Sequence, residues 1–159
     1  MAVIADITDQ TGSMPAATQV LLEAVVAKSG AALFGGGEHG VTVLLVSDSE
    51  IAALHATWFN DPTPTDVITF PAHDASDMQD SSAGDHAYLG DIVLSLDTAR
   101  AATEENGWPL GREVAFVLIH GLLHLAGWDD ATTPERDAML AEGERLLQMF
   151  ERDSGTVWS

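Results

Sequence analysis

The chain contains no cysteine in its 159 residues. Disulfide bonds and thiolate metal sites are therefore excluded, and any metal ion must be held by histidine, carboxylate or backbone oxygen ligands. The sequence also lacks an apolar run of about 20 residues, and its first residues lack a basic segment followed by a long apolar one. We therefore expect a cytoplasmic protein that has no contact with a membrane.

Basic residues are scarce. Six lysines and arginines stand against 25 aspartates and glutamates, which gives a formal net charge of −19. A surface of this charge repels a phosphate backbone at long range, so the composition argues against an RNA or DNA substrate. An organism whose whole proteome is acidic would give the same composition, and both explanations remain open at this point.

The patterns along the chain predict a single α+β domain over residues 1–159. Strands are expected at residues 2–7, 41–46, 65–70 and 88–96, where β-branched and apolar residues cluster. Five helices are expected. Four of them begin at recognisable signals: a proline at 15, a capping box at 47–50, an N-cap at Asp97 and a cap at 132–133. The remaining one is the apolar stretch 110–126. We thus predict a mixed sheet of about four strands packed with these helices. Residues 71–86 should form a loop and residues 153–159 a frayed tail.

The most informative segment is HGLLHLAGWDD at residues 120–130, at the end of the apolar helix. His120 and His124 lie on one face of that helix, one turn apart, and Gly127 allows the chain to turn back so that Asp130 becomes a third ligand. Three protein ligands with one open position are typical of catalytic zinc, whose bound water serves as the nucleophile. The alternative is a pair of histidines packed in the core without a metal.

Other polar residues bear on the chemistry. Metalloproteases of the His-Glu-x-x-His type place a glutamate directly after the first histidine, where this chain has Gly121, so that peptidase chemistry is disfavoured. Asp66 and Asp91 are single carboxylates within apolar strands. They could support the histidines or contact substrate, or they could simply hydrogen-bond a loop or a helix N-terminus.

Three segments together carry a family resemblance: PTDVITFP at 64–71, LGDIVLS at 89–95 and HGLLHLAGWDD at 120–130. Their sequence, order and spacing resemble the signature segments of the YbeY family of metallo-endoribonucleases, over residues 41–150. The resemblance implies one zinc ion per chain and single-strand-specific cleavage of RNA in 3′-end maturation of 16S ribosomal RNA and in ribosome quality control. It also implies ribosomal RNA and the small ribosomal subunit or its proteins as partners.

The resemblance also shows where this chain departs from the family. The third metal position, usually histidine, falls on Asp130, and Asp129 is the rival ligand. An arginine that many members carry before the PTDV segment falls on Phe59, so Arg100 and Arg112 become the candidate substrate-binding cations. Two other functions stay open: a metal-dependent hydrolase of another small substrate, and a non-catalytic ribosome assembly factor whose metal is structural.

Overall fold

The computed structural model describes residues 3–35, 37–63, 65–72 and 88–158. Within these ranges the chain forms four strands and five helices, which confirms the predicted α+β class. In chain order they are β1 (Val3–Asp9), α1 (Ala16–Phe34), β2 (His39–Val46), α2 (Asp48–Phe59), β3 (Val67–Pro71), β4 (Tyr88–Ser95), α3 (Leu96–Asn106), α4 (Leu110–Leu125) and α5 (Thr133–Ser154). The loop predicted over residues 71–86 lies, apart from its first two residues, outside the described residues.

The four strands form one mixed sheet in the order β1-β2-β4-β3. β1, β2 and β4 run parallel, whereas β3 pairs antiparallel with β4 and lies at one edge. Side chains alternate across the sheet, and Ile92 on β4 belongs to the large core cluster that includes α1, α4 and α5, whereas its neighbour Val93 packs with Ile51 of α2. One face of the sheet is therefore covered by α1 and α4, and the other by α2.

Helix α4 is the central helix of the domain, as predicted. Leu118, Ile119, Leu122 and Leu123 are fully buried. A Cβ atom added at Gly121 would lie only 3.0 Å from Cγ2 of Ile92, so the absence of a side chain there lets α4 lie close to β4. The histidine-bearing helix is thus seated firmly on the middle of the sheet.

Helix α1 is long and apolar enough, by length and composition, to cross a membrane, and it is the one such helix in the described ranges. Its residues Leu22, Val25 and Val26 are fully buried in the main core cluster. This packing is that of a core helix. The expected absence of membrane contact stays a prediction.

A hydrogen bond from Asp48 to Asp97 connects the starts of helices α2 and α3. The predicted capping box of α2 is present, with Ser47 Oγ accepting from the backbone N–H of Glu50. Asp97, however, is not the N-cap of α3, because β4 runs directly into that helix and Ser95 caps it. The Asp97 carboxylate instead accepts the backbone N–H of Asp48 at 2.8 Å, at the start of α2.

The C-terminal end differs from the predicted frayed tail. α5 continues to Ser154, and Gly155 ends it in the left-handed conformation, at φ 67°. Trp158 then folds back, donating from Nε1 to a carboxylate oxygen of Glu151 at 2.7 Å and packing its ring 6.2 Å from that of Phe150. These contacts hold the tail against the domain as far as Trp158.

Candidate metal centre

His120 and His124 are the starting point of the site. They lie one turn apart on α4, and their ring centroids are 4.9 Å apart with the ring planes at 84°. Their side chains are 16% and 25% exposed, so both rings reach from the buried helix to its accessible end. The helix thereby presents two imidazole Nε2 atoms toward a common point.

The turn after α4 brings the third candidate ligand back to the histidines. Ala126 ends the helix, Gly127 adopts φ 99°, and the N–H of Trp128 donates to the carbonyl of Leu123 at 2.9 Å. A positive φ is readily available to glycine, which explains the reversal at this position. Asp130 Oδ2 consequently lies 3.4 Å from Nε2 of His120 and 3.5 Å from Nε2 of His124.

This geometry fits a metal ion. Ligand atoms from His120, His124 and Asp130 all lie within 4.8 Å of one another. In a tetrahedral zinc site with bonds of about 2.0–2.1 Å, ligand atoms lie about 3.3 Å apart, close to the two distances from Asp130. Two imidazole nitrogens and one carboxylate oxygen are also a donor set that zinc accepts. The three residues could therefore hold a metal ion.

The electrostatics of the site keep one imidazole available for a metal. Burial lowers the pKa of His120 below its ordinary value, and the neighbouring His124 lowers it further, although Asp130 and Asp66 oppose the shift. A lowered pKa means that His120 is neutral at neutral pH. A neutral imidazole keeps a nitrogen lone pair free for coordination.

A cavity of about 240 Å³ opens beside His120 and Asp130. Asp66, whose side chain is exposed, also lines it, and its position is fixed because its backbone carbonyl accepts the N–H of Ser95 at 2.9 Å. The full lining is Asp66, Phe116, Val117, His120, Asp130, Arg136 and Leu140. One of the two predicted strand carboxylates is therefore brought to the site.

Comparison with known proteins decides the family. The model of the family described as endoribonuclease YbeY matches residues 5–151. The endoribonuclease YbeY of Bacillus licheniformis is 35% identical over 156 residues, covering 94% of this chain and 96% of that protein. The chain belongs to the YbeY family. The endoribonuclease YbeY of a Synechococcus strain is 45% identical over 102 residues, covering 64% of this chain and 60% of that protein, and that of Symbiobacterium thermophilum is 38% identical over 112 residues, covering 70% and 72%.

A solved structure shares the fold of this chain. The solution structure of TM1509 from Thermotoga maritima matches with a TM-score of 0.62 and 22% identity, covering 95% of this chain and 90% of that one. As a YbeY family member the chain is classed as an endoribonuclease, which is a hydrolase, and its substrate class is RNA. The argument from net charge against an RNA substrate is therefore wrong.

The structure separates the two candidates for the third YbeY ligand. Asp129 Oδ1 accepts the backbone N–H of Asp130 at 2.8 Å, a contact that fixes the turn carrying Asp130. Asp130, rather than Asp129, joins the histidines in the group of described residues able to hold a metal. The geometry thus favours Asp130 as ligand and gives Asp129 a positioning role.

Asp91, the other strand carboxylate, is not brought to the histidines. Ile92 faces α4, so Asp91 faces the opposite side of the sheet, where it lines a different cavity with Leu44 and Trp58. The hydroxyl of Tyr88 donates a hydrogen bond to its carboxylate. This partner belongs to the same strand, so the hydrogen bond is neither to the histidines nor to a loop or a helix N-terminus.

Neither predicted substrate-binding arginine lines the cavity beside His120. Arg112 donates two hydrogen bonds to Glu151, at 2.7 and 3.0 Å, and its guanidinium lies 4.1 Å from the centroid of the Trp108 ring. Arg100 donates to Ser13 Oγ at 3.0 Å. The cation that does line the cavity is Arg136, which sequence reasoning missed.

A usable signal for Arg136 existed in the sequence. Thr132 caps α5 through the backbone N–H of Glu135, so Arg136 stands in the first turn of that helix, a few residues after Asp130. A side chain in this position can return toward a ligand that immediately precedes the helix. Proximity to the central helix, used to select Arg100 and Arg112, was a poorer guide.

Phe59, where the resemblance predicts an arginine in many family members, lies near His124. It lines a second cavity, of about 210 Å³, together with His55 and His124. The remaining lining residues are Val67, Ile68 and Thr69 of β3. The candidate metal centre is thus flanked by one cavity containing Arg136 and another containing Phe59.

Proposed function

We propose that this chain is a zinc-dependent, single-strand-specific endoribonuclease that acts in 3′-end maturation of 16S ribosomal RNA and in ribosome quality control. Its proposed location is the cytoplasm. The observation that carries the proposal is the convergence of His120, His124 and Asp130 beside a cavity that also contains Asp66 and Arg136. Membership of the YbeY family supplies the reaction class.

Zinc would be held by Nε2 of His120, Nε2 of His124 and a carboxylate oxygen of Asp130. When bound, the ion supplies Lewis-acid polarisation of the scissile phosphate and activation of water. The donor types favour zinc over calcium or magnesium, which prefer oxygen ligands throughout. Three protein ligands, rather than four, leave one position for reactants, as in catalytic rather than structural sites.

We propose that Asp66 orients and deprotonates the attacking water molecule. Its exposed side chain lines the same cavity as His120. An ionised carboxylate only accepts hydrogen bonds, so an oxygen of Asp66 can orient a water molecule toward a phosphate in the cavity and take its proton. We assign Asp66 this role as general base.

Arg136 is placed to bind the scissile phosphate. Each of the other five cations of the chain has a hydrogen-bonding or ionic side-chain partner: Lys28 with Asp153, Arg100 with Ser13, Arg112 with Glu151, Arg145 with Glu142 and Arg152 with Asp153. The Arg136 guanidinium has no such partner among the described residues. A free guanidinium at the cavity wall can bind two phosphate oxygens at once, and it thereby takes over the function left vacant by Phe59.

The acidic surface bears on how RNA reaches the site. With six cations against 25 acidic residues, long-range repulsion weakens binding of naked RNA. We propose that proteins of the small ribosomal subunit dock the chain on its substrate. Tight binding of isolated single-stranded RNA by the purified chain at physiological salt would contradict this part of the proposal.

The ligand assignment is tested by zinc analysis of two variants. Asp130→Ala removes the proposed ligand, and Asp137→Ala, which removes an exposed carboxylate of α5, is the matched control. We expect wild type and Asp137→Ala to retain stoichiometric zinc after dialysis, and Asp130→Ala to lose most of it. Unchanged zinc in Asp130→Ala would exclude Asp130 as a ligand.

The reaction is tested with single-stranded RNA. Cleavage should require zinc, stop on chelation and be lost in His124→Ala while circular dichroism shows an intact fold. Cleavage that survives both changes would refute the metal-dependent mechanism. Hydrolysis of small phosphodiesters without RNA cleavage would favour the other hydrolase, and zinc-loaded chain that co-sediments with small subunits but cleaves nothing would favour the assembly factor.

A further inference from the structure

An aromatic patch lies where the end of α2 meets β3. We define the aromatic patch as His55, Trp58, Phe59 and Phe70. The rings contact one another in sequence: Trp58 and Phe70 have centroids 5.7 Å apart, Phe59 and Phe70 6.2 Å, and His55 and Phe59 5.6 Å. Their planes are tilted by 40–73°. Trp58 and Phe70 meet edge to face, the other two pairs are tilted, and none of the three pairs is stacked in parallel.

Two rings of the aromatic patch are largely exposed to solvent. Trp58 is 65% exposed and Phe59 52%. Helix α2 is anchored by Ile51, its only fully buried residue. Single exposed apolar residues are ordinary, whereas adjacent large rings in one patch indicate a binding surface.

The aromatic patch is continuous with the candidate metal centre. Phe59 and His55 line the same cavity as His124. The His124 ring therefore separates this cavity from the polar one beyond His120, where Arg136 lies. An RNA strand whose phosphate occupies the polar cavity can extend from it in two directions. One of these directions leads past His124 to Phe59.

We propose that the aromatic patch binds unpaired bases of the RNA substrate by stacking, beside the bond that is cut. This inference rests on the proposed function. Stacking on aromatic rings tolerates any base sequence and needs no positive charge, which suits a chain with a net charge of −19. Bases in a duplex have both faces covered by neighbouring bases, so a stacking surface selects single strands. The replacement of a family arginine by Phe59 then substitutes ring contact for charge.

Binding to a cleavage-resistant RNA tests the proposal. The probe is a short fluorescein-labelled single strand with phosphorothioate linkages, titrated with zinc-loaded full-length chain. Trp58→Leu and Phe59→Leu keep apolar bulk but remove the ring, and Trp58→Phe and Phe59→Tyr keep a ring. Val20→Ala, on α1 and 64% exposed in the wild type, is the control for loss of an exposed apolar side chain elsewhere.

We expect each leucine variant to weaken binding by about five-fold or more, the lower end of what one stacked base contributes. The aromatic variants and Val20→Ala should bind as wild type does. Because no phosphate contact is lost, the ratio between wild type and leucine variants should stay nearly constant as salt is raised. Zinc content should be the same in all variants, and a duplex of the same sequence should bind wild type and leucine variants equally weakly.

Three results would overturn the proposal, and they are distinguishable. If wild type cleaves single-stranded RNA but the leucine variants bind the probe equally well, the aromatic patch is not the base site and the proposed function stands. If zinc-loaded wild type neither binds nor cleaves, the proposed function fails and the inference fails with it. If sedimentation shows a wild-type dimer that the leucine variants lose, while RNA affinity is unchanged, the patch binds a second copy of the chain.

Discussion

Replacement of Gly121 by alanine tests how closely the ligand-bearing helix must approach the sheet. Gly121 stands next to His120 on α4, and a Cβ there would lie 3.0 Å from Cγ2 and 3.1 Å from Cδ1 of Ile92. Carbon atoms in favourable contact are about 3.5–4.0 Å apart. Ile92 is fully buried, so relief of this contact requires its side chain or α4 to move by up to about half an ångström, and we expect α4 to move away from β4.

Two opposing terms set the effect on stability. Overpacking a dense core costs about 1–3 kcal/mol. Alanine in a helix interior is favoured over glycine by about 1 kcal/mol. The free energy of unfolding should therefore fall by up to about 2 kcal/mol, which lowers Tm by up to about 8 °C in a domain of this size.

Gly121→Ala should lower the rate of RNA cleavage more than it lowers the zinc content. His120, His124 and the turn carrying Asp130 move together with α4, so zinc content should be retained. Asp66 precedes β3 and does not move with them, so its position relative to the site changes. A displacement of about 1 Å can cost about 100-fold in rate, so a shift of half that size should lower kcat about ten-fold.

Urea unfolding, zinc analysis and RNA cleavage measure the three effects. Gly143→Ala on α5 is the matched control, because its Cβ would lie 3.3 Å from the ring edge of Phe116 and farther from other atoms. That variant should be close to neutral in all three assays. A Gly121→Ala chain that is more stable than wild type and cleaves RNA at the wild-type rate would refute the requirement for close approach.

Three further predictions concern single groups. Arg136→Met should lower kcat/KM for RNA cleavage about 100-fold or more while zinc is retained. The control Arg145→Met, which removes an exposed cation of the same helix, should have little effect. Equal losses in the two variants would contradict a specific phosphate contact by Arg136. Burial acts to raise the pKa of Glu151, but the hydrogen bonds from Arg112 and Trp158 and the charge of Arg112 together outweigh it, so the pKa is lowered. This carboxylate therefore stabilises the fold above about pH 4.5, and the stabilisation is lost as pH falls through the folded-state pKa. Urea unfolding of wild type should consequently weaken more steeply with acid than that of Glu151→Gln, and parallel profiles would be the contrary result. Zinc at about 100 times its Kd should stabilise wild type by about 2.7 kcal/mol in thermal unfolding, and chelator should remove the gain; a similar gain in His124→Ala would place the zinc elsewhere.

Local patterns were enough to predict the elements and the core of the site. The capping box at Ser47, the apolar stretch that forms α4 and the Gly127 turn each depend on residues close in sequence. The pair His120 and His124 is of the same kind, because helical periodicity alone places them on one face. Asp130 followed from the same local turn. These features could be predicted because residues close in sequence determine them and tertiary packing does not change them.

Features decided by long-range packing were predicted poorly. The face to which Asp91 points depends on which side of the sheet α4 covers, and no local pattern specifies it. Arg112 looked available because it stands on α4, yet Glu151, far along the chain, binds it. Arg136 was overlooked although it stands only a few residues after Asp130. The sequence signals that Arg136 is near the site, but the packing of α5 decides that it lines the cavity beside His120.

The acidity of the chain and the composition of the site have a common explanation. A basic nucleic-acid-binding protein attracts phosphates over its whole surface, and its affinity falls steeply as salt rises. In the proposed mechanism, positive charge at the site comes from Arg136 and from a metal ion held by the histidines and Asp130, whereas Phe59 offers ring contacts that do not depend on charge. The net charge of −19 repels RNA, but repulsion between exposed charges is screened beyond about 10 Å at 0.1 M salt. At that salt concentration, carboxylates far from the site therefore contribute little to the repulsion of RNA bound there. On these proposals we expect the chain to select RNA by its shape and pairing state and by the partner that docks it, with little contribution from overall electrostatic attraction.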